Sequence, residues 1–258
     1  SEWLVVEKLK RPDWGAKKLL DLFARTFPAQ HKPADSTGDL ILARADLVKP
    51  RKRRRKVSAD TQPFNECTHA NSTWCVDFKG QFTLGNRKLC YPLTVTDHFN
   101  RYLLLCQALS STQRAPVTAL FERLFTEFGL PWAIRSDNGA PFASTALGGI
   151  SHLSKWWIDL GIRPERIQPA HPEQNGRHER MHRSLKDSLH ARLDKMEQDL
   201  CAQQVVFDAF VHEYNHERSH EGIGRKTPSE CYTPSNRLYT GKIVPYDYGE
   251  GVELRQVK

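Results

Sequence analysis

The stretch W-C-V-D-F-K-G-Q-F at 74–82 places an acid, Asp77, inside an otherwise apolar run. Read as a strand, Trp74, Val76 and Phe78 share one face while Cys75, Asp77 and Lys79 share the other. The apolar set defines the register, so Asp77 projects from the opposite side in mid-strand. A half-buried carboxylate is costly unless it is paired or coordinates a cation. A second acid, Asp137, ends another apolar run in A-I-R-S-D-N-G-A-P-F (133–142). A third, Glu179, lies on a predicted helix in H-P-E-Q-N-G-R-H-E-R-M-H-R-S-L-K (171–186). Three acids converging from two strand ends and a helix would suit Mg²⁺ and phosphate chemistry.

Outward from this stretch, residues 73–84 and 89–105 alternate or run apolar around the turn-like Gly85-Asn86, which predicts antiparallel strands. The second contains a turn at Asp97–Asn100, where Asp97 serves as a turn cap, and a third strand follows at 102–107. Helical spacing covers 116–128 and stops at Gly129-Leu130-Pro131. A short strand at 132–136, a helix at 151–160, a strand at 162–168, a long helix at 175–196 and another at 201–214 complete the order. Thr227-Pro228 reads as the N-cap and first position of a short terminal helix. This order predicts an α/β fold with a mixed sheet flanked by helices. On the long helix, Met181, Leu185, Leu189 and Met196 form the docking side, while Glu179, His182, Arg183, Lys186 and His190 form another.

Toward the N-terminus, W-G-A-K-K-L-L-D-L-F (14–23) suits an amphipathic helix. Residues 33–37 offer N-caps for a second helix to about Ala45. The pair reads equally as part of a helix-turn-helix or as an ordinary helical hairpin. Residues 49–56, K-P-R-K-R-R-R-K, repel one another and should be extended, as a linker that also grips phosphates.

The chain has 258 residues and a formal charge of +8, which favours a polyanionic partner. No apolar run approaches the ~20 residues of a membrane span, and no signal-peptide pattern opens the chain. Its first residue is Ser1, so a fragment or a processed chain is expected. The six cysteines show no CxxC pair and read as reduced thiols. Cys67 and His69 lack a second ligand pair at zinc spacing.

Together, W-x-x-D-F-K-G, D-N-G-x-P-F and H-P-x-x-N-G-x-x-E-R-x-H-R-x-L-K resemble the core of bacterial insertion-sequence transposases of the retroviral-integrase-like, DDE type. W-W-I-D-L-G-I (156–162) and Y-N-H-E-R-S-H-E-G-I-G-R-K-T-P-S-E (214–230) extend the likeness over roughly 70–232. Two departures stand out. The interval from Asp137 to Glu179 is somewhat longer than usual, which a Gly148-Gly149 loop could absorb, and Ser219 stands where the family usually has Pro.

The resemblance implies a ribonuclease-H-like fold and metal-dependent DNA strand cleavage and strand transfer. It divides the chain into a partial helix-turn-helix segment (1–48), a basic linker (49–65), a catalytic core with a helical extension (66–235) and the start of a β domain (236–258). Asp77, Asp137 and Glu179 become the catalytic and metal-binding acids for two Mg²⁺ ions, with Mn²⁺ as a substitute. Glu173, in a Pro-flanked loop, is the rival third acid. Lys79, Asn138, Asn175, Arg177, His182, Arg183, Lys186 and the run Arg51, Lys52, Arg53, Arg54 and Arg55 are candidate DNA contacts. The implied partners are element ends and target DNA, further copies of the chain, and an accessory ATPase; the implied compartment is the bacterial cytoplasm. A silent DNA-binding core, or a nuclease that cuts without joining, would share the same fold.

Overall fold

A computed structural model of the chain describes residues 1–48, 67–144, 149–168, 172–192 and 197–243. The basic run at 49–56, Met196 and the segment from 244 onward lie outside the described residues.

The sheet begins with β1 (Thr73–Phe78), the short β2 (Phe82–Thr83), β3 (Leu89–Asp97) and β4 (Leu103–Leu109). Asp97 caps the turn between β3 and β4: one carboxylate oxygen accepts from the backbone N–H groups of Phe99 and Asn100 at 2.9 and 3.1 Å. The other accepts from Asn71 N at 2.5 Å. Two further strands, β5 (Ala133–Ser136) and β6 (Arg163–Arg166), give the order β4-β3-β1-β5-β6, with β2 paired to the start of β3. β4, β3 and β1 are antiparallel, whereas β1, β5 and β6 are parallel. This is the expected mixed sheet.

Strand alternation sends the two faces into different cores. On one face, Trp74, Val76, Leu93 and Val95 meet α4 (Arg114–Phe128) through Val117, Phe121, Leu124 and Phe125, and α5 (His152–Asp159) through Leu153 and Trp157. On the other, Cys90, Leu103 and Cys106 meet Met181, Leu185 and Leu189 of α6 (Gly176–Arg192) and Phe207 and Phe210 of α7 (Leu200–His212). α4 ends at Gly129, whose φ of +75° and contact with the carbonyls of Ser235 and Arg237 leave no room for a Cβ. A π-turn at Glu213–Glu217 extends α7 so that Asn215 pairs with both backbone groups of Leu103 at 2.9 Å. Thr227 and Pro228 take the expected N-cap and first positions of a short helical turn, and Glu230 closes a capping box with Thr227.

Three helices precede the sheet: α1 (Glu2–Lys10), α2 (Ala16–Thr26) and α3 (Asp35–Arg44). They enclose a small core of Leu4, Trp14, Leu19, Leu20 and Leu42. α1 was not predicted, because its apolar residues form no single stripe: Leu4 is buried while Val6 and Leu9 are exposed. This unit is tied to the π-turn region by Trp14 Nε1 donating to Glu213 and by Arg218 donating to Asp13. Asp21 accepts from Lys32, Ser219 and Arg225.

Candidate active site on the sheet face under α6

Strand register brings the first two acids together. Cys75 on β1 lies beside Arg135 on parallel β5. Asp77 and Asp137 each follow by two residues and so share a face on neighbouring strand lines, roughly 4.8 Å apart. Asp137 lies just beyond the end of β5, where its Oδ1 accepts from Gly139 N at 3.1 Å. A Cβ at Gly139 would stand 3.0 Å from the Asp137 Oδ2, so the glycine leaves that carboxylate its room. Asn138 Nδ2 donates to the Ile167 carbonyl at 2.8 Å and pins this turn to the chain just past β6.

The same face carries a polar row that the apolar-pattern reading missed. Thr96, Cys75, Arg135 and Glu165 are register neighbours across β3, β1, β5 and β6. Arg135 and Glu165 are both buried and bonded at 2.9 and 3.1 Å, and Arg135 also reaches the Gln174 carbonyl at 3.4 Å. Thr94 stands opposite Asp77.

From α6 above, His178 places Nδ1 2.7 Å from Thr96 Oγ1 and Nε2 2.8 Å from Thr94 Oγ1. His182 Nε2 lies 2.7 Å from the same Thr94 oxygen, and its Nδ1 lies 3.8 Å from Asp77 Oδ2. The helix is therefore held by hydrogen bonds in its first turns and by Met181, Leu185 and Leu189 further on. Burial, with Lys79 beside it, pushes the His182 pKa down to about 3; burial and His182 hold His178 well below the usual range. Both rings are neutral near pH 7.

Asp77 responds oppositely. Burial first, then the charge of Asp137, with Glu179 adding to it, raises its pKa to about 7. Glu179 itself is exposed at the start of α6. The three acids thus share one electrostatic neighbourhood. Among the described residues, however, no three His, Cys, Asp or Glu side chains are gathered closely enough to hold a metal ion as they stand. The donor set nonetheless fits Mg²⁺. It offers hard carboxylate oxygens whose mutual repulsion a dication relieves. That ion also keeps several waters and uses only one or two carboxylates plus substrate phosphates. An open cluster suffices for it.

The remaining predicted residues divide by exposure. Arg177, Arg183, Lys186 and Asn138 are exposed, Lys79 is half-buried, and Arg177 donates to the His98 carbonyl at 2.8 Å. Two expectations are corrected. His182 and Asn175 are buried, 7% and 3% exposed, so neither stands among the phosphate-facing side chains. The helical wheel placed His182 beside Arg183, but the hydroxyl of Thr94 gives its ring a partner inside. Arg51, Lys52, Arg53, Arg54 and Arg55, and the side chain of Glu173, lie outside the described residues. The residues missed were Thr94, Thr96, Arg135, Glu165 and Gly139. The T-V-T-D alternation at 94–97 was the available signal, legible only once β3 is registered against Asp77.

A family profile described as an integrase core domain matches residues 68–172, and a second of the same description matches 160–228. The chain is 27% identical over 240 residues to the insertion element IS476 uncharacterized 39.2 kDa protein of Xanthomonas euvesicatoria, covering 92% of this chain and 65% of that protein. It is 26% identical over 184 residues to the insertion element IS407 uncharacterized 31.7 kDa protein of Burkholderia multivorans, covering 71% and 63%. The chain thus spans just under two thirds of either relative. Among solved structures, a chain of the simian T-cell lymphotropic virus intasome, in complex with PP2A regulatory subunit B56 gamma, superposes with a TM-score of 0.54. That match has 16% identity and covers 92% of this chain and 80% of the other, a likeness of fold.

Proposed function

Because the chain belongs to the integrase core-domain family of DDE-type transposases and integrases, matched from 68 to 228, we propose that it cleaves DNA at the ends of a mobile element and joins them to target DNA. The observation that carries this reading is the parallel register of β1 and β5, which sets Asp77 and Asp137 on one sheet face, with Glu179 on α6 near enough to act on the Asp77 charge. The family is metal-dependent, and the finer assignment is ours: Asp77, Asp137 and Glu179 would together hold two Mg²⁺ ions, with Mn²⁺ as a substitute. Two such ions, when bound, stabilise the attacking and leaving oxygens of an in-line phosphoryl displacement.

In the first step, water attacks a phosphodiester at the element end and the leaving oxygen departs as a free 3′-OH. In the second, that hydroxyl attacks a target phosphodiester, forming one bond and breaking one, so neither ATP nor a covalent enzyme intermediate is needed. Lys79, Arg177, Arg183 and Lys186 hold the phosphate backbone and exclude no sequence. Asn138 sets the turn that carries Asp137. Residues 1–48 serve as a DNA-binding helical segment, 49–65 as a basic tether and 66–235 as the catalytic core.

No described helix is long and apolar enough to cross a membrane, and the relatives come from bacterial insertion elements. The proposed setting is the bacterial cytoplasm, with several copies bridging two DNA ends.

The test is incubation of the protein with labelled duplexes bearing the element ends, with Mg²⁺ or Mn²⁺. Nicked and joined products are expected, and both should vanish in Asp77→Asn, Asp137→Asn and Glu179→Gln while DNA binding persists. Nicks without joins would reassign the protein as a nuclease. Full activity in any of the three variants would overturn the site.

A further inference from the structure

The layer between the sheet and the start of α6 holds a device that the proposed reaction does not itself call for. Thr94 Oγ1 has three polar neighbours: the carbonyl oxygen of Asp77 at 3.1 Å, His178 Nε2 at 2.8 Å and His182 Nε2 at 2.7 Å. A threonine hydroxyl carries one hydrogen and two lone pairs. The carbonyl can only accept, so the hydrogen goes to Asp77. Both imidazoles must then donate to Thr94 through Nε2. Each ring consequently bears its lone pair on Nδ1. For His178 that lone pair accepts from the Thr96 hydroxyl at 2.7 Å. For His182 it faces Asp77 Oδ2 at 3.8 Å, beyond hydrogen-bond reach.

We propose that Thr94 is the positioning residue of the metal site: by accepting from both imidazoles it makes His182 turn a lone pair toward Asp77, so that the ring donates nothing to Asp77 Oδ2 and leaves that oxygen open to cations. It also sets the height of α6, and hence of Glu179, which follows His178 directly. The opposite tautomer would aim an N–H at Asp77 and hold its oxygen back from a metal. This inference rests on Asp77 and Glu179 being metal ligands.

Wild type and two variants of the 258-residue chain test it: Thr94→Val, which keeps the shape but cannot accept, and Thr94→Ser, which restores the oxygen. Mn²⁺ affinity is measured by calorimetry without DNA, and the ring tautomers by NMR of ¹⁵N-labelled histidine. Wild type should show His178 and His182 protonated at Nε2. Thr94→Val should move His182 to the Nδ1–H form and weaken Mn²⁺ binding about 10- to 100-fold, the usual effect of losing an outer-shell partner. Thr94→Ser should return both to wild type. An Nδ1–H signal for His182 in the wild-type protein overturns the proposal, and that measurement stands even where Thr94→Val fails to fold. Unchanged Mn²⁺ affinity in folded Thr94→Val overturns it as well. If Asp77→Asn binds Mn²⁺ as the wild type does, the ligand assignment fails instead, so the two failures are distinguishable.

Discussion

Replacing Asp77 with Asn should stabilise the metal-free protein in alkali and leave it nearly unchanged in acid. In the folded chain the Asp77 pKa stands at about 7 against an ordinary 3.8, raised first by burial and then by Asp137. Between those values the folded protein holds a proton that the unfolded chain has already released. Stability therefore falls as pH rises through that window, and the whole cost is present above about pH 7. A gap of about three units at about 1.36 kcal/mol each gives roughly 4 kcal/mol. The side chain is 24% exposed, and solvent there reduces the figure. Roughly 2–4 kcal/mol is the expectation. Asn keeps the shape and removes the charge. Urea unfolding of both proteins in chelator, at about pH 4.5 and about pH 8, measures the difference directly. The variant should gain about 1 kcal/mol or less in acid and the larger amount in alkali. Millimolar Mg²⁺ should narrow the alkaline gap by stabilising only the wild type. A difference between the two proteins that is the same at both pH values would refute the reasoning.

Other substitutions probe the frame around the acids. Glu165→Gln removes the charge from the buried two-nitrogen contact with Arg135 and should cost about 1.5–3 kcal/mol in chemical denaturation; a loss below about 1 kcal/mol would show that the pair is dispensable. Gly139→Ala presses a Cβ against the Asp137 carboxylate, so cleavage should fall at least ~10-fold with the fold intact by circular dichroism. Undiminished cleavage would remove Gly139 from the site. Arg183→Ala and Lys186→Ala should each lower the slope of log affinity against log salt by about 1 in DNA-binding titrations. A slope equal to wild type would place that side chain off the DNA. Asp21 is pushed up by burial but pulled lower overall by its bonds to Arg225, Lys32 and Ser219. The docking of α2 should accordingly persist above the ordinary carboxylate range and loosen as pH falls below it, followed by hydrogen exchange in α2.

Much of the fold was legible along the chain. The alternation of Trp74, Val76 and Phe78 set β1 and turned Asp77 to the far side, and Gly129-Leu130-Pro131 stopped α4 where the backbone required it. The spacing of Met181, Leu185 and Leu189 named the buried stripe of α6 correctly. Where reading along the chain failed, a polar side chain had found a partner distant in sequence. His182 looked solvated because nothing nearby in the chain could satisfy it, whereas Asn175 is buried with its Oδ1 finding no hydrogen-bond partner among the described residues. α1 escaped notice because its burial depends on Trp14 and Leu42 rather than on its own periodicity.

Local chemistry, then, sufficed to determine the element order and the mixed sheet, since side-chain alternation and chain punctuation act between near neighbours. Only the tertiary structure decided which polar groups go inside. Register across β3, β1, β5 and β6 lines up Thr96, Cys75, Arg135 and Glu165, and α6 descends on that row to bury two histidines against threonine hydroxyls. The satisfaction of a buried donor depends on what lies opposite it in space, which neighbours along the chain do not specify.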